Sequence, residues 1–94
     1  MALIRFSRRA EADLLRIASY TRRIRGENQT LRYLEDLEEC CYMLANNPAS
    51  GRLCEYIRPG LRRMEHGRHV IFYRNSSRGI LILRILHQGM LPDP

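Results

Sequence analysis

Ninety-four residues and 11.1 kDa make a single domain, 1–94, and 45% apolar with 28% charged residues indicates a folded globular unit rather than a disordered tail. Sixteen basic residues, all arginine, face ten acidic ones for a formal charge of +6, and no apolar run approaches the roughly 20 residues that span a bilayer. The opening stretch MALIRFSRR is cut by Arg5, so no secretory leader is expected and the expected address is cytoplasmic, with no membrane partner.

Ala2–Phe6 alternates as a short strand, with Leu3 and Arg5 on one face and Ile4 and Phe6 on the other. Ser7 stands where a helix N-cap belongs, and Glu11 and Asp13 follow early enough to favour the helix dipole. Ala10, Leu14, Ile17, Thr21 and Ile24 then step by fours and threes, the face of one helix. Arg22, Arg23 and Arg25 crowd its last turn before Gly26, a C-cap residue. A second helix is expected from Asn28–Thr30, with Leu31, Leu34, Leu37, Cys41 and Leu44 on one stripe and Glu35, Asp36, Glu38 and Glu39 mainly opposite. Asn46-Asn47-Pro48 ends it, and the short link at Gly26 makes an antiparallel hairpin.

Pro48–Gly60 reads as loop, with a short extended piece at Leu53–Ile57. Three strands follow: Leu61–Glu65, a His66-Gly67 turn, His69–Arg74, an Asn75–Gly79 turn and Ile80–His87. Ile80–Leu83 is apolar on both faces and belongs inside the sheet, covered by the helices. Arg84 breaks that run and needs either a route to solvent or an anionic partner. No regular structure is expected in the tail Leu91–Pro94. The expected fold is α+β, in the order β-α-α-β-β-β, with the helical hairpin on one face of an antiparallel sheet.

Residues 1–47 hold eight Arg against seven Asp/Glu, and residues 48–94 eight against three, so the excess positive charge lies in the second half. A lopsided basic domain suits an anionic partner, either nucleic acid or an acidic protein surface. Cys40, Cys41 and Cys54 are an odd set with two neighbours adjacent, which reads as reduced thiols rather than a disulfide framework. Cys41, on the apolar stripe, reads as a small core residue. His66 and His69 straddle a glycine turn and have no metal-binding companion motif, so neither a metal nor a cofactor is expected. The five tyrosines read as core-edge residues, with Tyr73 a candidate to reach a partner face.

Taken in order, these segments resemble the ParE-type toxins of the RelE/ParE superfamily of bacterial type II toxin–antitoxin modules. Ser7 followed by Ala10-Glu11-Ala12-Asp13-Leu14 is similar to that family's opening. Ile17, Tyr20-Thr21, Gly26, Tyr33-Leu34 and Leu37 continue the likeness. Leu44-Ala45-Asn46-Asn47-Pro48 with Gly51-Arg52 resembles its helix-end signature. Pro59-Gly60-Leu61-Arg62, Phe72-Tyr73-Arg74 and Arg84-Ile85-Leu86-His87 resemble its three strands. The resemblance implies a toxin that poisons DNA gyrase and blocks replication. It also implies a ParD-like antitoxin that wraps its C-terminal segment around the toxin in a hetero-oligomer. That partner's ribbon-helix-helix part would bind DNA, so this chain would meet DNA only indirectly.

The RelE branch instead cuts messenger RNA on the ribosome, without a metal. Such chemistry needs groups that move protons and stabilise a charged phosphorane, and here the candidates are Arg62, Arg84 and His87. No lysine is present, arginine exchanges protons poorly, and Gln88-Gly89-Met90-Leu91 follows His87 where an aromatic is usual in that branch. The ribonuclease reading therefore comes second, and a free-standing basic nucleic-acid-binding domain third. Gyrase binding requires no proton chemistry, and its expected contacts are Arg58, Arg62, Arg63, Arg84 and His87. Leu15, Ile17, Ala18 and Leu31 are the expected antitoxin contacts, with Leu15 and Ile17 equally readable as core.

Overall fold

The computed structural model describes residues 2–91 and arranges them as β1 (Leu3–Phe6), α1 (Arg8–Arg25), α2 (Glu27–Asn46), β2 (Arg52–Leu53), β3 (Arg62–His66), β4 (His69–Ser76) and β5 (Gly79–His87). Single 3₁₀ turns lie at Pro48–Ser50 and Gln88–Met90. The expected tail beyond Leu91 lies outside the described residues. Among the described residues, no helix is long and apolar enough to cross a membrane.

Helix α1 starts where Ser7 leaves the extended conformation: its Oγ accepts from the Ala10 N–H at 3.0 Å and donates to the Leu83 carbonyl at 2.8 Å. One hydroxyl thus caps the helix, worth about 1 kcal/mol, and ties it to a strand 76 residues away. Gly26, at φ 85°, is the single residue between the helices. Its N–H donates to Arg22 O and its carbonyl accepts from the Thr30 N–H and hydroxyl, so it closes one helix and opens the next. Pro48 stops α2 as expected.

The sheet order is β1-β5-β4-β3-β2, and it is mixed rather than antiparallel throughout: β1 runs parallel to β5, with Ile4 beside Ile80 and Phe6 beside Ile82. The reason is spatial. One edge of β5 is taken by β4, and only the other can seat Ile4 and Phe6 beneath the helices. Gly79 allows that approach, because a Cβ there would overlap the Leu3 carbonyl oxygen. Of the extended piece expected at Leu53–Ile57 only Leu53 is strand: with Arg52 before it, it forms a two-residue fifth strand beside β3, and residues 54–57 turn into the loop that leads to β3.

A bulge lies between Phe72 and Tyr73, where Phe72 pairs with Arg84 and Tyr73 with Ile82, leaving Leu83 as the extra residue. It changes the alternation of β5, so Ile80, Ile82 and Ile85 all turn toward the helices. They pack there with Leu37, Cys41, Leu44 and Ile71 as the main core. A smaller core of Cys54, Leu61, Val70 and Phe72 lies on the other face, beneath the loop between β2 and β3. Tyr73 does not reach a partner face. It is fully buried, its hydroxyl donating to Pro48 O at 2.7 Å and accepting from the Gly51 N–H at 2.8 Å. Ile24, expected on the inner stripe of α1, is exposed because the last turns of that helix overhang an open groove.

Candidate partner-binding surfaces

Beyond Phe6 the chain turns into α1 and the edge of β5 loses its strand partner. Two side chains replace it. Ser7 takes the Leu83 carbonyl, and Asp13, one turn into α1 and 1% exposed, accepts from the Ile85 N–H at 2.9 Å. The same carboxylate takes two hydrogen bonds from Arg84, at 2.8 and 3.0 Å, and a further one from Arg16. Burial pushes the Asp13 carboxyl upward. The Arg84 hydrogen bonds, the Ile85 amide and the charges of Arg84 and Arg16 outweigh that, and its pKa falls below the usual aspartate value. Arg84 therefore has its anionic partner inside the molecule, with only 27% of its side chain exposed.

The other target-facing candidates are scattered. Arg62 donates to the Gly51 carbonyl at 2.7 Å and to that of Ala49 at 3.5 Å, holding the turn before β2. Arg63 lies on the helix-free face, its guanidinium over the Phe72 ring at 5.6 Å and bonded to Glu65 at 3.0 Å. Arg58 is exposed on the loop between β2 and β3. His87 is exposed at the end of β5, with Nδ1 accepting from the Gly89 N–H at 3.0 Å and its ring edge-on to His69 at 5.5 Å. Between Arg62 and His87 the register crosses two strands and four residues, so their Cα atoms stand about 16 Å apart. The three residues considered for RNA cleavage thus occupy three separate environments.

At the end of the sheet the Tyr33 hydroxyl meets His69 Nδ1, with His66 across the strand pair and His87 alongside. Burial lowers the His69 pKa, and the neighbouring His87 and His66 lower it further. Among the described residues no group of three or more His, Cys, Asp or Glu could hold a metal ion.

Two apolar grooves flank α1. The larger, about 670 Å³, lies between the second half of α1 and the ends of β4 and β5, with Ile17, Tyr20, Ile24 and Met90 along it and Arg16, Arg25 and Arg68 around it. The other, about 600 Å³, runs between the two helices beside β1 and includes Phe6, Leu14, Leu34 and Tyr42. The antitoxin candidates divide between them: Leu15, 73% exposed, and Ala18 line the smaller groove, whereas Ile17 is a core residue at the floor of the larger. Leu31 is exposed on α2 and lines neither.

Residues 4–92 match the family described as ParE toxin of type II toxin-antitoxin system, parDE. The chain belongs to the ParE toxin family. It is 42% identical over 86 residues to Toxin ParE1 of Caulobacter vibrioides, covering 92% of this chain and 88% of that one. Toxin ParE1 of Mycobacterium tuberculosis is 39% identical over 85 residues, covering 89% and 87%. Toxin ParE of Escherichia coli is 34% identical over 82 residues, covering 86% and 80%. A chain from the chromosomal ParDE toxin–antitoxin system of P. aeruginosa superposes with a TM-score of 0.76 at 28% identity, covering 93% of this chain and 96% of that one. Within this ParE fold, sequence reasoning assigned Asp13 to the helix dipole rather than to Arg84, gave Tyr20, Ile24 and Met90 no part in a groove, and did not foresee the Tyr33–His69 contact. Only Asp13 left a signal, a charge between Ala10 and Ile17 on the inner face of its helix.

Proposed function

We propose that this ParE-family toxin acts in the cytoplasm by binding and arresting DNA gyrase, and that a ParD-like ribbon-helix-helix antitoxin holds it inactive in a hetero-oligomer. The observation that carries the binding mode is the separation of Arg62, Arg84 and His87. Two of the three already spend their hydrogen bonds inside the molecule, and about 16 Å separates the first from the last. Such an arrangement suits a protein that occupies a surface better than one that moves protons at a phosphate. The antitoxin assignment rests on the family and on the ParDE system to which the P. aeruginosa chain belongs. Leu15, Ala18 and the two grooves around α1 offer apolar ground for its segment to cover.

Purified toxin added to gyrase in a supercoiling assay tests the reading. Inhibition reversed by stoichiometric cognate antitoxin is the expected outcome. Unimpaired supercoiling, together with cleavage of messenger RNA on isolated ribosomes, would replace it with the RelE-like activity.

A further inference from the structure

The helices cover one face of the sheet, and the loop between β2 and β3 covers only part of the other. On the uncovered part the strand register sets Arg5 of β1, Leu81 of β5 and Arg74 of β4 in one row. Alternation confirms the side. Ile4, Phe6, Ile80, Ile82 and Tyr73 all join the helix-side core, so their neighbours Arg5, Leu81 and Arg74 point away from it. Arg5 and Arg74 are both exposed, and two strand spacings set their Cα atoms about 10 Å apart. Among the described residues neither forms an ion pair with a carboxylate, and Arg74 donates one long hydrogen bond, to the Asn75 backbone carbonyl at 3.5 Å. Further along the same face Arg52 and Arg63 share a single carboxylate, Glu65.

Of the two helices, α2 carries the opposite sign. The exposed surface of α2 presents Glu27, Glu35, Asp36, Glu38 and Glu39 against Arg32 alone. Helix α1 carries six exposed arginines against Glu11 and the buried Asp13, so the acidic helix surface is confined to α2, and an acidic body approaching the molecule is steered away from that helix.

We infer that this helix-free sheet face, centred on Arg5 and Arg74, is the surface that docks on an acidic patch of the target protein. The inference rests on the gyrase reading and moves its contact away from Arg62 and Arg84, whose hydrogen bonds are already used. An acidic protein fits better than a nucleic-acid backbone because the arginines are interleaved with apolar surface. Leu81 lies between them partly exposed, and Leu3 beside Arg5 is 45% exposed. A line of phosphates would leave that surface uncovered, whereas a protein interface joins apolar contact to arginine anchors.

The test compares the wild-type chain with Arg5→Glu/Arg74→Glu and with Arg22→Glu/Arg23→Glu, which makes the same change of net charge at the end of α1. Each is titrated against purified gyrase in the supercoiling assay, and each is measured against a labelled 30-base-pair duplex of the kind used for nonspecific DNA binding, at about 0.15 M salt. Circular dichroism and antitoxin capture verify the fold. The sheet-face pair should raise the half-inhibitory concentration by about tenfold or more, while the α1 pair stays within about twofold of wild type. Equal loss in both variants would reduce the effect to bulk charge and overturn the inference. So would a loss confined to duplex binding, which would assign the face to nucleic acid. If wild type inhibits gyrase and the sheet-face variant inhibits equally, only this inference fails. A wild-type chain inert toward gyrase would sink the parent reading as well. Should the double variant misfold, Arg5→Gln/Arg74→Gln, which keeps hydrogen-bonding length without adding charge, carries the same comparison.

Discussion

Replacing Asp13 with alanine removes an acceptor that serves three donors from two elements. The Ile85 N–H would be left in the core without a partner, at about 1–3 kcal/mol. Arg84 loses both of its side-chain bonds, but with 27% of its side chain exposed it can turn toward water, so its share falls well short of the about 3–5 kcal/mol of a fully buried broken pair. Arg16 is 63% exposed and contributes little. The expected loss is about 2–4 kcal/mol, a large part of the roughly 5–15 kcal/mol that holds a domain together. At roughly 4–8 °C per kcal/mol for a chain of this size, the melting temperature should fall by about 10–25 °C. Urea denaturation followed by circular dichroism measures it, with an unchanged m-value showing that only stability moved. Asp13→Asn keeps one acceptor oxygen for Ile85 and should cost less. In a double-mutant cycle with Arg84→Ala, the combined loss should be smaller than the summed single losses by about 1 kcal/mol or more. A loss below about 0.5 kcal/mol for Asp13→Ala, the level of an ordinary surface change, would refute the reasoning.

The same carboxylate makes a pH prediction. Its pKa is depressed in the folded state, so its contribution is complete above the unfolded aspartate value near 4 and is lost as the pH falls through the lower folded value. Wild type should therefore lose stability below about pH 4 more steeply than Asp13→Asn, as acid titration of the denaturation midpoint would show. The depressed His69 works in the histidine range: the unfolded chain takes up its proton first, so stability is full above about pH 6.5 and declines as the pH drops toward the folded pKa. His69→Gln should flatten that slope in denaturation midpoints between pH 5 and 7, and an unchanged slope would place its cause elsewhere. Gly79→Ala should prise β1 from β5, seen as lost protection of the Leu3–Phe6 pairing in hydrogen exchange, whereas wild-type protection in the variant would contradict the close approach. Burial, helped by neighbouring Cys40 and Glu38, pushes the Cys41 thiol up to about 12, so it should resist iodoacetamide at pH 8 in the folded chain and react only on unfolding.

Local signals made the helical hairpin legible: Ser7 at one end, Gly26 between the helices and Pro48 at the other each act within a few residues of their own position. The β3–β4–β5 meander was equally readable, because its turns fall at Gly67 and just before Gly79. What escaped depends on distance along the chain. Asp13 looked like a charge placed for the helix dipole, and Arg84 like one seeking an outside partner. Each is a charge lodged in an apolar register, and their opposite signs were the clue that they belonged together across 71 residues. The bulge at Leu83 was hidden for a similar reason, since an extra residue in an apolar run leaves no mark in composition. The parallel seating of β1 follows from which edge of β5 stays open, a fact of assembly rather than of local pattern. The target-facing arginines were grouped by their clustering in the second half of the sequence, but the fold sends Arg62, Arg63 and Arg84 in three directions.

The pairing of β1 with β5 also bears on the order in which the molecule comes into being. β1 is made before every other described element, yet among the described residues its strand partner is β5, made after the other described strands, and Ser7 and Asp13 likewise wait for Leu83, Arg84 and Ile85. Contacts between such remote positions form only after a long loop has closed. The helical hairpin can form early, but the core beneath it cannot close until residues 79–87 arrive. Until then the apolar underside of α1 and α2 stays uncovered, so the last strand to pair is the one that seals both the first strand and the helical hairpin into a single body.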